Sequence, residues 1–107
     1  MTVQDVFELR KQGKIQEAYE AIVPMYHEHH GKYTTLAMFL VGIDKLRLNL
    51  DQINTNNPHW QVLLEESDLI YKSLVRLYPK VQDEDETLKK MLNKWGKVLD
   101  TCKKLQE

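Results

Sequence analysis

Apolar side chains recur along this chain at spacings of three and four residues, the period of one helix face, and nowhere alternate with period two over a useful length. Val6, Phe7 and Leu9 give the first segment, Thr2 to Gln12, a short apolar face. Thr2 is placed to cap it, and Asp5 lies near the positive end of the helix dipole. Gly13 beside Lys14 reads as a C-cap and turn. The second segment, Ile15 to His30, carries Ile15, Ala18, Tyr19, Ile22, Met25 and Tyr26 on one face. Pro24 inside it removes a backbone donor and crowds the carbonyl of Glu20, which predicts a kink or a break. Gly31 reads as the C′ residue that stops this helix, after His27, His29 and His30 at its negative end.

From about Tyr33 to Ile53 the chain is at its most apolar. Leu36, Phe39, Leu40, Ile43, Leu46, Leu50 and Ile53 form one stripe, widened by Ala37, Val41 and Leu48. An arc this broad predicts a central helix touched on two sides. Asn54-Thr55-Asn56-Asn57-Pro58 is a loop signal, with Asn57 able to cap and Pro58 able to take the first helical position. His59 to Tyr78 carries Trp60, Leu63, Leu64, Ile70, Tyr71, Leu74, Leu77 and Tyr78, with small Ser67 among them, and Pro79 ends it. The run Asp83-Glu84-Asp85-Glu86 is expected to form the first turn of a fifth helix. Its stripe is Leu88, Met91, Leu92, Trp95, Leu99, Cys102 and Leu105, with Lys103 and Lys104 in the last turn. The predicted fold is all-α: five helices, antiparallel to their neighbours and joined by short loops.

Composition narrows the function classes without naming one. A length of 107 residues fits one domain, and 42% hydrophobic with 29% charged residues fits a globular chain. Fifteen Lys and Arg against sixteen Asp and Glu leave a formal charge of −1, which tells against nucleic acid as the partner. Cys102 is the single cysteine, so neither an internal disulfide nor a Cys-based zinc site is available. Met1 to Asp5 lacks the pattern of a secretory signal, and the longest apolar-rich stretch, Leu36 to Ile43, falls far short of the roughly 20 residues that span a membrane. A cytoplasmic protein with no membrane association is the default expectation.

The stretch Leu9-Arg10-Lys11-Gln12-Gly13-Lys14-Ile15-Gln16-Glu17-Ala18-Tyr19-Glu20-Ala21-Ile22 resembles the inner turn of a tetratricopeptide repeat. That family sets a large residue, a Gly turn, an aromatic or aliphatic residue, Glu-Ala, then a large residue four on; here these are Leu9, Gly13, Ile15, Glu17-Ala18 and Ile22. Ser67, Tyr71, Leu74 and Pro79 resemble a second unit, which lacks the Gly turn and carries the Asn-rich loop. The resemblance covers about residues 3–79 and is shared with small tetratricopeptide-like bacterial proteins. It implies a right-handed superhelix of two helical hairpins, 2–30 and 33–79, with 83–105 as a capping helix over the open apolar edge. It also implies a non-catalytic adaptor that binds another protein or peptide and needs no cofactor. Such solenoids usually need about three units, so either the cap packs well or a homodimer covers the exposed stripe.

In that family the first helix of each pair lines a groove. By analogy Phe7, Arg10 and Lys11, with positions on the third helix, face a partner. The family's carboxylate clamp needs Lys and Asn where this chain has Val3 and Phe7, so recognition of a chaperone tail does not carry over. Arg47 joins the candidate groove residues because it falls between Leu36, Leu40 and Ile43 inside the apolar stripe. A buried guanidinium needs a partner, and Asp44, Glu65, Glu66 and Asp68 are within the sequence-level choice. The plainer account lays its stem over the core while its head reaches a surface carboxylate.

His27 and His30, three apart, are the candidates for the alternative reading, a helical bundle that binds a metal or small ligand. No HExxH spacing accompanies them, and the plainer account is a solvated helix end with favourable dipole contacts. The Tyr and Trp residues fall on apolar faces and read as core. Cys102 reads as a small buried hydrophobe. Residues 83–86 lack the alternating spacing of a calcium loop, and no catalytic triad, phosphate-binding Gly loop or paired-carboxylate motif is present, so no catalysis is expected.

Overall fold

The structure, a computed structural model, describes residues 1–54 and 57–105. Among these residues it is all-α: α1 (Val3–Lys11), α2 (Ile15–Glu28), α3 (Lys32–Asn54), α4 (Trp60–Leu77), a 3-10 turn (Tyr78–Lys80) and α5 (Thr87–Leu105), with no strand. No described helix is long and apolar enough to cross a membrane.

Capping chemistry fixes the ends of α1. The Thr2 hydroxyl accepts from the Asp5 N–H at 3.2 Å while the Asp5 carboxylate accepts from the Thr2 N–H at 2.8 Å, which closes a reciprocal capping box. Those bonds hold the Asp5 carboxyl below its ordinary value, the Thr2 backbone N–H first among them. At the other end Gly13 takes φ +80. Its N–H donates to the Arg10 carbonyl, and the Lys14 N–H donates to the Leu9 carbonyl. This is a Schellman turn, whose left-handed residue is cheap only as glycine.

α2 continues unbroken through Pro24, so of the kink or break expected there no break forms. Two sequence expectations are corrected at the helix ends that follow. The helix stops at Glu28 with His29 extended, and Gly31 lacks the positive φ of a C′ glycine. Gly31 instead opens α3, its carbonyl accepting from both the N–H and the hydroxyl of Thr35. The acidic run does not form the first turn of α5, which begins at Thr87. Asp83 accepts from the Leu88 and Lys89 N–H groups, so it caps the helix from outside and spares the run from stacking inside one turn. Burial raises the Asp83 carboxyl, but the Tyr78 hydroxyl and these two N–H donors outweigh it and set the group below its ordinary value.

Before α4, the side chain of Asn57 accepts from the His59 N–H, and the helix begins at Trp60 rather than at Pro58. Asn57 therefore caps the turn ahead of the helix. The loop expectation over Asn54 to Pro58 falls in part on Thr55 and Asn56, outside the described residues.

α3 is the central element. Its Ala37 and Val41 join Val6, Ala18 and Ile22 in one core cluster. Its Phe39, Ile43, Leu46, Leu50 and Ile53 join a second with Ile70, Leu74 and Leu77 of α4 and Leu92, Leu99 and Cys102 of α5. Each such fully buried aliphatic or aromatic side chain contributes about 1.5–3 kcal/mol relative to exposure. Tyr19, Tyr26, Trp60, Tyr71, Tyr78 and Trp95 pack partly buried against the second cluster, as their places on apolar faces predict. Leu105 does not join it and is 71% exposed, because the last turn of α5 runs past the core.

Two glycines set how closely helices approach. A Cβ at Gly42 would stand 2.7 Å from Leu74 Cδ2, and one at Gly96 would stand 2.6 Å from the Tyr71 hydroxyl. Both are α-helical, so their value is space and not backbone freedom.

Candidate functional site

The polar groups on α3 organise its surroundings. Asp44, Lys45 and Asn49 are buried in the middle of the molecule. Burial of such groups is tolerated only where partners reach them. Arg10 of α1 meets Asp44 at 2.5 Å. Lys45 donates to Gln16 of α2 at 2.6 Å and pairs with Glu66 of α4 at 3.2 Å. The Asn49 amide donates to the same Glu66 oxygen at 2.8 Å, while Asn49 Oδ1 has no partner. The Asn49 amide and then the Lys45 ammonium hold the Glu66 carboxyl below its ordinary value. Desolvation, followed by the charge of Glu66, pushes the Tyr19 phenol up. Asp68 of α4 bonds Lys103 of α5 at 2.5 Å and Lys72 at 2.9 Å, and its carboxyl is lowered by Lys103 first. Separate polar ties thus join α1, α2 and α4 to α3, and α4 to α5.

An open groove of about 300 Å³ lies between α1 and α3, lined by Val3, Gln4, Phe7 and Tyr33, with Arg10 one turn on from Phe7. Tyr33 is 64% exposed, a large aromatic surface left in water. Leu36 and Leu40, half-buried on α3, lie on the same angular stripe as Arg47, within about 40° at helical periodicity. Arg47 is exposed, and among the described residues no carboxylate pairs with it, which corrects the expectation that its head reaches a surface carboxylate. The stripe is mostly core, with Phe39, Ile43, Leu46 and Leu50 buried; Arg47 on it is exposed, while Leu36 and Leu40 are half-buried. The ion pair assigned to Arg47 belongs to neighbours: Asp44 goes to Arg10, and Glu66 goes to Lys45. Lys11 is exposed one residue beyond Arg10. The structure therefore brings Phe7, Arg10 and α3 together, with Lys11 and Arg47 outside the groove lining. Tyr33 was missed by sequence reasoning, although its three- and seven-residue spacing to Leu36 and Leu40 marks that stripe.

A second concavity, also about 300 Å³ but more enclosed, lies between α2, α3 and α4. Met38, Gly42, Ile70 and Leu74 form its floor, with Tyr19 and Tyr26 in the wall. His27, Arg76 and Lys80 are the basic side chains on its rim, all three exposed. Its residues come from three helices far apart in the chain, so no local motif announces it.

His27 and His30 do not converge. The His30 ring stacks on Tyr26 with centroids 4.3 Å apart, while His27 meets Tyr26 edge-on at 6.2 Å and lines the second cleft. Among the described residues no group of three His, Cys, Asp or Glu side chains is placed to hold a metal ion. Cys102 is buried, and desolvation pushes its thiol up, away from the reactive thiolate. Beside the 3-10 turn the Tyr78 hydroxyl donates to Asp83 at 2.8 Å, and that bond pushes the phenol up to about 12. No protein-family profile, curated protein or solved structure matches this chain.

Proposed function

We propose that the chain is a non-catalytic protein-interaction module of the tetratricopeptide-like type, its helices paired as hairpins and its groove open between the first helices of the two pairs. The observation that supports this most is the α1–α3 groove: Val3, Phe7 and Tyr33 leave apolar surface in water beside a fixed Arg10–Asp44 ion pair. Large exposed aromatics next to a cation are the usual anchors of a protein interface. Phe7 and Tyr33 supply the apolar anchor surface, Lys11 supplies positive charge nearby on α1, Arg47 adds a cation about 21 Å farther along α3, and the Arg10–Asp44 pair holds the two helices in register. The partner in this reading is another protein or peptide with apolar anchors and flanking acidic residues. In this reading α5 covers the apolar edge of α3 and α4, where Leu92, Leu99 and Cys102 are buried.

A photo-crosslinking amino acid at position 33 tests the groove, with position 75 on α4 as the control because Val75 is also exposed. The reading expects one protein captured from position 33 and not from 75. That protein, purified, should bind the wild-type chain and bind the Phe7→Ala/Tyr33→Ala variant at least tenfold more weakly. Equal affinity for wild type and variant overturns the assignment of the groove.

A further inference from the structure

We propose that the cleft between α2, α3 and α4 binds a small amphipathic carboxylate, with the charged head at Arg76 and Lys80 and the apolar body on Met38, Ile70 and Leu74. At about 300 Å³ the cleft stands at the small end of the range for ligand pockets, and its floor is apolar, as such pockets are. Size and floor alone do not select a ligand; the rim does. His27, Arg76 and Lys80 line it and no acidic residue does.

The treatment of cations elsewhere in the molecule makes this rim distinctive. Three basic side chains that reach a second helix meet a carboxylate there: Arg10 has Asp44, Lys45 has Glu66 and Lys103 has Asp68. Arg76 and Lys80 also border a junction of helices, yet neither has an ion pair or hydrogen-bond partner among the described residues. Arg76 lies in the last turn of α4 and Lys80 in the 3-10 turn that follows, where the helix dipole favours positive charge. That dipole does not account for His27, which reaches the same mouth from α2. Three cationic or titratable groups converging from two helices over an apolar floor complement one anionic head on an apolar body. A guanidinium and an ammonium four residues apart can both donate to one carboxylate.

Octanoate is the probe, with octylammonium carrying the same tail and opposite charge and acetate carrying the head alone. Backbone amide shifts in NMR titrations report both the site and the affinity. The proposal expects octanoate to shift residues of the cleft saturably, octylammonium to bind at least tenfold more weakly, and acetate not to saturate. Arg76→Ala with Lys80→Ala should weaken octanoate about tenfold. Both side chains are exposed and unpaired, so helical content should be unchanged. Ser73→Trp, at an exposed position of the lining, should block octanoate as a second route to the same answer. Absence of saturable shifts, equal affinity for octanoate and octylammonium, or full affinity in the double variant each overturns the proposal.

Discussion

Glu66 is the residue at which charge, burial and pH meet. It accepts from Asn49 and pairs with Lys45, and both contacts favour its ionised form. A carboxylate whose pKa is depressed in the folded chain stabilises that fold above its unfolded value, here near 4.5, and loses the contribution as pH falls through the lower folded value. Part of the acid sensitivity of the protein therefore belongs to this side chain. Glu66→Gln should cost about 1–2 kcal/mol at pH 7, because Lys45 is left largely buried with Gln16 alone. The figure is at the low end for a buried pair since water reaches the Glu66 side chain, which is 44% exposed. Urea unfolding at pH 7 and pH 3.5 checks both parts: the gap between wild type and variant should narrow on acidification. A gap that stays constant would assign the loss to packing instead of charge. Sequence reasoning named Glu66 only as a candidate for Arg47. Which helix faces which decides such pairings, and a stripe of apolar spacing carries no record of the partner helix.

At the scale of the element, the helices were legible because each has an apolar arc and a stop signal, whereas their ends were set by hydrogen bonds that composition does not reveal. Gly13 and Thr2 act as read, through a Schellman turn and a capping box. The acidic run and Gly31 act on the opposite side of a helix boundary from the one their composition suggests, since Asp83 and Gly31 both cap the element that follows. α3 misled for another reason: buried on several flanks, it hides polar Asp44, Lys45 and Asn49 and exposes Arg47 on its apolar-looking stripe. Pro24 provides the element-scale prediction. α2 runs unbroken through it, so the carbonyl of Glu20 lacks the N–H that would normally meet it four residues on. Pro in a helix interior costs up to about 3 kcal/mol relative to Ala, partly offset by its smaller unfolded-state entropy. The side chain is exposed, so no packing is lost on truncation. Pro24→Ala should raise stability by about 1–2 kcal/mol, measured as a shift in the urea midpoint at unchanged slope. A destabilised variant would mean that the distortion at Pro24 is needed to seat Tyr26 and His27.

For the whole molecule the decisive feature is that two core clusters share one helix. α1 contributes Val6 to the smaller cluster, built with Ala18, Ile22, Ala37 and Val41, while α4 and α5 complete the larger one. α3 belongs to both and should open only with global unfolding. α1 has nine residues, too few to be helical alone, and its hold on α3 combines the Val6 contact with the Arg10–Asp44 pair. This arrangement predicts a sub-global opening in which α1 leaves while the larger cluster stays intact. Such a motion would also open and close the Val3–Phe7–Tyr33 groove, since one wall of it is α1. Arg10→Ala removes the polar tie and strands the largely buried Asp44 carboxylate, which costs about 1–3 kcal/mol. In wild-type protein, native-state hydrogen exchange should give α1 amides a lower opening free energy than those of α3 around Leu46 and Leu50. In Arg10→Ala the α1 value should fall further, and the stranding of Asp44 should be relieved when Asp44→Asn is added, because an uncharged amide is cheaper to leave unpaired. If α1 and α3 exchange with one common free energy in the wild type, the two clusters form a single cooperative unit and the groove has no moving wall.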